Sequence, residues 1–305
     1  VEPDIEYRID FTPNDPLYPT SGGGDVSKQW GLDYSTGSAY ARFAWDISAK
    51  DGAGVIVAVI DTGIDTTHPD LAGKLLPGWD FVNDDANTDD DNAHGTHVAG
   101  VIAANTNNAK GMAGLAYNAK LLPVKVCNAG GGCSTYNIAA GIVFAADKGA
   151  KVANMSLGGG TVSTTIQGAV QYALSRNVIL VAAAGNTGDT TYQYPASHDG
   201  VISVAAHDIN GNHASFSTAN NRVTVSAPGV AIVSTVPLDL DNCGIPGDGY
   251  CGTFNGTSMA SPFVAGTVAL MLSDNVVNNP AAAKEAIICS AWDINGGGYD
   301  NQYGY

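Results

Sequence analysis

The stretch GVIVAVID, residues 54–61, sets the expected fold, because six apolar residues run without a polar break between Gly54 and Asp61. A strand that alternates apolar and polar residues has one wet face, whereas an unbroken Val- and Ile-rich run is typical of a strand buried on both faces of a parallel sheet. Five more runs of this kind predict further strands: AKLLPVKV (119–126), AKVANMSLG (150–158), VILVAAAGN (178–186), VISVAAHD (201–208) and VTVSAPG (223–229).

Helix-like stretches separate these runs. They cover residues 94–105, 136–149, 164–177, 258–274 and 280–291. Alternation of strand and helix predicts an α/β fold, with helices packed on both faces of the sheet in three αβα layers around a mainly parallel centre. Residues 1–40 are polar, rich in Pro and Gly and without a clear period, so we expect an irregular N-terminal arm. No linker or repeat follows, and we expect a single domain over residues 1–305.

The charge of the chain excludes some classes of function. Lys and Arg number 13 against 29 Asp and Glu, a net charge of −16, so the basic face that nucleic acid requires is not expected. No apolar run approaches the 18 or so residues of a membrane helix. Residues 61–91 hold nine Asp and one Lys, which is half of the net charge. This segment is either a solvated acidic loop or a site for a hard cation.

Five cysteines indicate an oxidising compartment. The spacings of Cys127 from Cys133 and of Cys243 from Cys251 fit two small disulfide-closed loops better than a metal site, and disulfides persist outside the cytosol. Cys289 remains, and we expect it to be a buried thiol. Because the chain begins at Val1 rather than Met, we also expect a mature, processed product.

Three residues that can act together in nucleophilic catalysis lie at strand ends or helix starts. Asp61 ends the first strand, His94 opens one helix and Ser258 opens another. A serine hydroxyl needs a base to take its proton, and that base needs an acid to fix its tautomer. The carboxyl ends of parallel strands are also where ligands bind in open α/β sheets. Each residue alone has an ordinary structural explanation as a cap or turn residue.

The chain resembles the subtilisin-like serine proteases and is most similar to their thermitase-like branch. The resemblance rests on segments in the family's order, spanning most of residues 12–290: VAVIDTGID (57–65), HPDLAGK (68–74), HGTHVAG (94–100), SLGG (156–159), VAAAGN (181–186), SFSTAN (215–220), SAPG (226–229) and GTSMASPFVAG (256–266). It implies a subtilisin-like fold, a triad of Asp61, His94 and Ser258, and Asn186 as the side-chain donor of an oxyanion hole.

The same resemblance implies where a peptide substrate binds. The peptide would lie as a strand between two enzyme segments, Gly131-Gly132-Cys133 and Ser156-Leu157-Gly158. The side chain before the cleaved bond would enter a pocket walled by small residues, with a glutamine near its base: Ala183, Ala184, Gly185, Gly158 and Gln193. No charged residue is expected there, which favours broad specificity for large apolar or aromatic side chains.

Two calcium sites follow from the resemblance. The tight site would use the carboxylates of Asp15 and Asp70, the side-chain oxygen of Asn108 and three backbone carbonyls, those of Asn105, Lys110 and Met112. The second would use the acidic loop, with Asp80, Asp85 and Asp89 as carboxylates, Asn87 as a further ligand, and Asp84 and Asp90 as alternatives. A weaker family site uses carbonyls near Ala196, His198 and Val201 plus an acid. Thr224 stands where that acid would be, so we do not expect the site here.

We therefore predict a secreted, calcium-stabilised serine endopeptidase that acts through an acyl-enzyme. Its expected partners are protein or peptide substrates, together with a propeptide or protein inhibitors, and we expect a monomer made as a zymogen that binds neither nucleic acid nor membranes. The alternative is a catalytically inactive, subtilisin-like peptide-binding module. An acidic calcium-binding structural protein is a third interpretation, which leaves the residues at the strand ends unexplained.

Overall fold

The computed structural model describes residues 11–19, 27–33, 35–240 and 248–305. Its helices are α1 (Ala41–Ile47), α2 (His94–Ala103), α3 (Thr135–Asp147), α4 (Thr164–Ser175), α5 (Thr257–Ser273) and α6 (Pro280–Ser290). Its strands are β1 (Ile56–Asp61), β2 (Trp79–Asp80), β3 (Lys120–Lys125), β4 (Val152–Met155), β5 (Ile179–Ala183), β6 (Ile202–His207), β7 (Val225–Pro228), β8 (Ile232–Thr235) and β9 (Tyr250–Phe254). The six predicted strands and five predicted helices are confirmed, with ends that differ by a few residues.

Seven strands form one parallel sheet in the order β2-β3-β1-β4-β5-β6-β7, and β8 pairs with β9 in a separate antiparallel hairpin. Strand β1 lies between β3 and β4, so that Ala58 pairs with Leu122 on one side and Ala153 on the other. After β1 the chain forms β2 and β3 on one side of β1, and it then forms β4 to β7 on the other side. Such a reversal opens a crevice at the carboxyl ends of the central strands.

Both faces of the sheet are covered, which confirms the three-layer prediction. Successive side chains of β1 point to opposite faces: Val57 and Val59 belong to one apolar cluster with side chains of α2 and α5, and Ala58 and Ile60 belong to another with side chains of α3 and α4. A strand buried in this way has no wet face. The unbroken apolar run in the sequence is therefore explained by burial on both sides.

Several short elements were not predicted. Helix α1 begins at Ala41, and β2 contains only Trp79 and Asp80. A short 3₁₀ helix covers Pro69–Leu71, and its first turn is capped by His68, whose side chain accepts a hydrogen bond from the Asp70 amide. Elements of two or three residues carry too few side chains to show a period.

The described part of the N-terminal arm packs against the loop that follows α2. The amide of Leu17 donates to the Gly111 carbonyl at 2.7 Å. The side chain of Gln29 both donates to and accepts from the backbone of Ala113, each bond being 2.7 Å long. Tyr18 is buried. The described residues of the arm therefore cover this loop, although they contain no regular strand.

The cysteine predictions have mixed outcomes. Cys127 and Cys133 form a disulfide, as predicted. Cys251 is disulfide-bonded, and its predicted partner Cys243 lies outside the described residues. The prediction that Cys289 is buried is wrong, because this thiol is free and exposed. Helix α6 buries Ala283 and Ile287, and a residue two positions beyond Ile287 lies on the opposite side of the helix.

Helix α2 approaches the end of β1 so closely that only glycine fits at its second residue. A Cβ atom on Gly95 would lie 2.1 Å from the carbonyl oxygen of Gly63 and 3.2 Å from the Cβ of Asp61. The backbones of the two elements are therefore in contact at this point. This contact fixes the position of the first turn of α2 relative to the end of β1.

We expect Gly95→Ala to destabilise the fold by about 1–3 kcal/mol, the usual cost of forcing a side chain into a packed site. Gly168→Ala is the matched control, because a Cβ there meets nothing within 4 Å and alanine favours the helix by up to about 1 kcal/mol. Calorimetry should show a lower thermal midpoint for the first variant and an equal or higher one for the second. Equal midpoints for Gly95→Ala and the parent chain would contradict the close approach.

Candidate active site

The strongest interaction at the carboxyl end of β1 joins an acid to an imidazole. Asp61 is the last residue of β1 and His94 the first of α2, and Asp61 Oδ1 lies 2.7 Å from His94 Nδ1. A carboxylate can only accept, so Nδ1 carries the hydrogen and donates it. The Thr62 amide donates to the same Oδ1 at 2.8 Å. This arrangement leaves Nε2 of His94 as the nitrogen able to exchange protons with a ligand.

Opposing effects act on the imidazole of His94. Burial disfavours its charged form, but the charge of Asp61 and the hydrogen bond to it, with a further contribution from Asp90, outweigh burial and raise the pKa of His94. His97, one turn along α2, differs. Burial dominates there and lowers its pKa to about 3, while its Nε2–H donates to the Ile232 carbonyl and its ring stacks on Phe254.

Ser258 is the second residue of α5, and its hydroxyl is partly exposed. Its Oγ donates to the carbonyl of Ser156 at 3.0 Å, and the hydroxyl of Ser156 donates in return to the carbonyl of Ser258 at 2.7 Å. Within the described residues no hydrogen bond joins Ser258 to His94. Catalytic hydrogen bonds are often completed only when a ligand binds, and a hydroxyl turns readily about its Cα–Cβ bond.

Two hydrogen-bond donors converge beside Ser258. The side-chain oxygen Oδ1 of Asn186 accepts from the backbone amide of Thr257 at 2.9 Å and from the Thr257 hydroxyl at 3.0 Å. These two bonds fix the side-chain amide of Asn186. The position that a Cβ would take on Gly256 lies 3.4 Å from Asn186 Nδ2 and 3.5 Å from the Ser258 backbone nitrogen. Because Gly256 has no side chain, this position is open, and the two nitrogens near it carry hydrogens of the kind that can donate to an anion.

The two predicted peptide-binding segments flank this region. In the first, the disulfide between Cys127 and Cys133 closes the loop, and the Asn128 side chain accepts from the amides of Gly130 and Gly132, each at 3.0 Å. Gly131 is exposed and has a φ of 78°, a conformation that favours glycine. The loop is therefore held by its own bonds together with packing of its two cysteines in the apolar cluster that includes side chains of α3.

The second segment begins with the buried Ser156 and continues through Leu157 to the exposed Gly158. Gln193 is buried close by, since a Cβ on Gly185 would lie 2.4 Å from its Cγ and a Cβ on Gly158 would lie 3.8 Å from its Cβ.

Two alanines complete the predicted pocket wall. Both are buried: Ala183 ends β5, and Ala184 packs with Ala205 and Val223 in a small apolar cluster. The second alanine therefore takes part in packing against β6 and the chain that follows it.

The structure also reveals supporting residues that the sequence analysis missed. Thr257 fixes Asn186, and Thr62 and Thr96 link the elements that carry Asp61 and His94. Thr62 and Thr257 adjoin a catalytic candidate, and Thr96 lies two residues after His94, in the segments IDTG, GTSM and HGTH. Their position beside these candidates was the available signal, but the direction of a threonine hydroxyl is not visible in a sequence.

The residues of the predicted tight calcium site come together. Asp15 and Asp70 are buried, and the charge of Asp70 adds to burial in raising the pKa of Asp15, against hydrogen bonds from the amides of Asn107 and Asn108. The Asn108 side chain lies 2.7 Å from Asp70 Oδ1, and the Met112 amide donates to Oδ2 of Asp70 at 3.1 Å. Two buried carboxylates beside an amide-rich loop fit an ion that binds oxygen.

Two further residues of the tight site lie on the same loop. The amide of Asn105 donates to the Asp70 carbonyl at 2.7 Å, and Lys110 is exposed with its amide bonded to Asn108 Oδ1 at 2.9 Å. In the described part of the chain no three His, Cys, Asp or Glu side chains form a metal-binding group. A calcium ion here would therefore depend on amide and carbonyl oxygens as well as on the two carboxylates.

The acidic loop is partly ordered by its own side chains. Asp80 is buried and accepts from the Val82 amide at 2.6 Å, while its backbone pairs with that of Asp85. Asp85, Asn87 and Asp89 are exposed, as is the alternative ligand Asp84. Both side-chain oxygens of Asp80 already accept hydrogen bonds from within the loop, whereas the exposed carboxylates of Asp84, Asp85 and Asp89 carry oxygens of the kind that a hard cation binds.

The weaker third cation site does not fit a metal ion. The ammonium group of Lys284 donates to the carbonyl of Val201 at 3.2 Å and lies in the same cavity of about 330 Å³ as Ala196, His198 and Thr224. A fixed positive charge therefore already uses one of the carbonyls that a cation would need. Repulsion between two cations opposes a metal ion there.

Comparisons with known proteins agree on one family. A model of the subtilase family matches residues 52–305. The chain is 43% identical over 303 residues to a thermophilic serine proteinase of Bacillus sp. (strain AK1), covering 99% of this chain and 70% of that protein. It is 41% identical over 288 residues to thermitase of Thermoactinomyces vulgaris, covering 94% of each.

A solved structure shows the same architecture. The crystal structure of fervidolysin from Fervidobacterium pennivorans, described as a keratinolytic enzyme related to subtilisin, superposes with a TM-score of 0.82 at 38% identity, over 93% of this chain and 45% of that one. Across the described residues of this chain, no helix has the length and apolar character needed to cross a membrane.

We expect nuclear magnetic resonance to separate the two histidines of α2. In a Ser258→Ala background, His94 should titrate above about 6.5, the value of a free imidazole, because Asp61 favours its charged form. His97 is the internal control and should stay neutral at any pH above about 4, given a pKa of about 3. Asp61→Asn should lower the pKa of His94, and an unchanged titration in that variant would contradict the pairing.

Proposed function

The chain belongs to the subtilase family and is a serine endopeptidase of the subtilisin type, and on that premise we propose that Asp61, His94 and Ser258 are its catalytic triad. The observation that carries the proposal is the 2.7 Å hydrogen bond between Asp61 and His94, at the end of the central strand β1. It leaves a neutral Nε2 as the base for a hydroxyl at the start of α5.

In the acylation step, Ser258 Oγ attacks the carbonyl carbon of the peptide bond while its proton passes to His94 Nε2. The carbonyl π bond opens and places a negative charge on the substrate oxygen. Asp61 stays ionised and stabilises the imidazolium that forms. His94 then gives the proton to the amide nitrogen, the carbon–nitrogen bond breaks, and the amine product leaves an acyl group on Ser258.

We assign the oxyanion to the space beside Gly256, near Asn186 Nδ2 and the Ser258 amide nitrogen. Donors held before the reaction need no reorganisation when the charge develops, and loss of one such donor costs about 10²–10³ in kcat. Thr257 holds the Asn186 side chain in place before the reaction, since its amide and hydroxyl both donate to Asn186 Oδ1. Deacylation repeats the steps with water as the nucleophile, and His94 is again the base.

We propose that the enzyme cuts with broad specificity and favours a large apolar or aromatic residue before the scissile bond. The substrate would lie extended between Gly131–Cys133 and Ser156–Gly158, with main-chain hydrogen bonds to both. Gln193, next to Gly158 and Gly185, would close the base of the side-chain pocket. Small wall residues admit a large side chain, and a neutral amide at the base makes no demand for an opposite charge.

We also propose two stabilising calcium ions. Asp15, Asp70 and the loop 105–112 would hold one, and Asp80, Asp85, Asn87 and Asp89 the other. A bound Ca²⁺ would supply positive charge among carboxylates that otherwise repel one another, and it would take no part in the chemical steps. The first ion would also join the N-terminal arm to the loop after α2, where Leu17 and Gln29 already bind.

We propose that residues 1–305 fold as one subtilisin-like peptidase domain that acts outside the cell as a monomer. The disulfide between Cys127 and Cys133 supports an oxidising environment. Substrates are proteins or peptides, and a propeptide or protein inhibitor would occupy the same cleft. A zymogen is the expected precursor, because an active endopeptidase is restrained until it is released.

One digestion tests both the triad and the specificity. A mixed peptide library should be cut mainly after large apolar or aromatic residues by the parent enzyme. Ser258→Ala should lower kcat on the order of 10⁶-fold, because the nucleophile is lost while substrate binding remains. Ser215→Ala, at an exposed serine, is the matched control and should cut like the parent.

Two outcomes of that digestion count against the proposal. Full activity of Ser258→Ala would remove the triad, and no activity in the parent chain would favour the alternative of an inactive peptide-binding module. Dominant cleavage after Lys, Arg, Asp or Glu would mean that the pocket is assigned wrongly.

Calcium should raise the thermal midpoint of the covalently inhibited enzyme. A ligand that binds only the folded state adds RT ln(1 + [L]/Kd), about 2.7 kcal/mol at a hundredfold excess over Kd. Asp70→Asn and Asp85→Asn should each reduce the difference between melts in Ca²⁺ and in EDTA, through different sites. Glu285→Gln is the matched control, because it removes one charge from an exposed position on α6. If the parent melts identically in both buffers, both calcium sites are wrong.

A further inference from the structure

Asp90 differs from the two acidic residues that adjoin it in the chain. Its side chain is only 5% exposed, although its neighbours Asp89 and Asp91 reach solvent. Burial of a carboxylate is costly unless donors surround it. The hydrogen bonds that Asp90 accepts therefore indicate why this carboxylate is buried.

Five donors fill the two oxygens of Asp90. Oδ1 accepts from the Thr62 hydroxyl at 2.8 Å, the Asn92 amide at 3.0 Å and the Ala93 amide at 3.1 Å. Oδ2 accepts from the amide of Thr96 at 2.9 Å and from its hydroxyl at 2.6 Å. A carboxylate offers about four lone-pair sites, so none remains for a cation. Asp90 is thus excluded as an alternative calcium ligand.

Two of these donors directly adjoin the proposed catalytic residues. Thr62 follows Asp61, and Ala93 precedes His94. Ala93 has a φ of 87°, which is unfavourable for a residue with a Cβ and persists only when neighbours hold it. The Thr62 hydroxyl, having donated to Asp90, accepts from the Gly95 amide at 2.9 Å. One carboxylate therefore bridges the end of β1 and the start of α2.

We propose that Asp90 is a positioning residue, which fastens the carboxyl end of β1 to the first turn of α2 and thereby keeps Asp61 and His94 in contact. The role rests on the proposed function of His94 as the base. Within the described residues Asp90 makes no hydrogen bond to Ser258 or His94, and it acts through the two elements that it joins. Its test must therefore separate positioning from folding and from calcium binding.

A second contact holds Thr62 from the backbone side. Lys125, the last residue of β3, is buried, and its ammonium donates to the Thr62 carbonyl and to Asp91 Oδ1. The hydroxyl of Thr62 thus binds Asp90, and its carbonyl binds Lys125, which also binds the next residue of the acidic loop, Asp91. Asp90 and Asp91, at the end of that loop, thus both help to hold the residue that follows Asp61, whereas Asp84, Asp85 and Asp89 are exposed.

The charge of Asp90 also acts on the pKa of His94, which gives the proposal a second measurable effect. The charged groups that face His94 are Asp61 at the end of β1 and Asp90 in the loop, both of which favour the imidazolium, and His97 on α2 stays neutral. Removal of the charge at Asp90 should lower the pKa of His94. The acid limb of kcat/KM, which reports the free enzyme, should move to lower pH.

The experiment compares Asp90→Asn with Glu285→Gln in the full chain, using kcat, KM and pH profiles expressed per active site titrated with a covalent inhibitor. We expect Asp90→Asn to lower kcat about ten- to hundredfold, since a displacement of 1 Å can cost about 10²-fold. KM should change little, the acid limb should move down, and the calcium response of the melt should persist. Glu285→Gln should match the parent in all four measurements.

Two threonine variants keep the test decisive if Asp90→Asn folds poorly. Thr62→Val removes the hydroxyl that links Asp90 to Gly95 and should lower kcat without moving the acid limb, because no charge is lost. Thr62→Ser restores the hydroxyl and should recover most of kcat.

The proposal is overturned if Asp90→Asn has the parent's kcat and acid limb per active site, or if it abolishes the calcium response. It is likewise overturned if Thr62→Val is as active as the parent. Failure of the triad itself is recognised separately, as undiminished cleavage by Ser258→Ala.

Discussion

The contact between the end of β1 and the first turn of α2 determines the geometry of the whole site. Asp61 Oδ1 and His94 Nδ1 lie 2.7 Å apart, and Gly95 lets the two backbones meet beside them at the Gly63 carbonyl. The parallel sheet places Asp61 at the carboxyl end of β1. Packing of α2 on α5 brings the start of α5, which carries Ser258, to the same edge of the sheet. The stability of this contact and the proposed chemistry therefore depend on the same few atoms.

Much of the architecture could be predicted from the sequence, because strands buried on both sheet faces leave short, unbroken apolar runs, here rich in Val and Ile and separated by segments of helix length. The strand ends then located Asp61, and the segments HGTHVAG and GTSMA located His94 and Ser258. The short elements could not be predicted. The two residues of β2 have no period, and β8 and β9 pair with a register shift that depends on where the rest of the chain places them.

The acidic loop shows where such prediction ends. In the segment NDDANTDDDNAH all the acids look alike, yet Asp85 is exposed while Asp90 is enclosed by five donors. The difference arises from Thr62 and Thr96, which come from other elements and meet only in the folded chain. The exposed Cys289 has a similar cause, because the orientation of α6 is set by Ala283 and Ile287.

Covalent labelling tests the central claim, that the Asp61–His94 pair activates Ser258. The native enzyme is treated with a serine-directed fluorophosphonate, digested and mapped by mass spectrometry, beside Asp61→Asn and a denatured sample. A single adduct on Ser258 is expected in the native enzyme, with much slower labelling in Asp61→Asn and none after denaturation. An adduct on another serine, or equal labelling rates in the native enzyme and Asp61→Asn, would contradict the account.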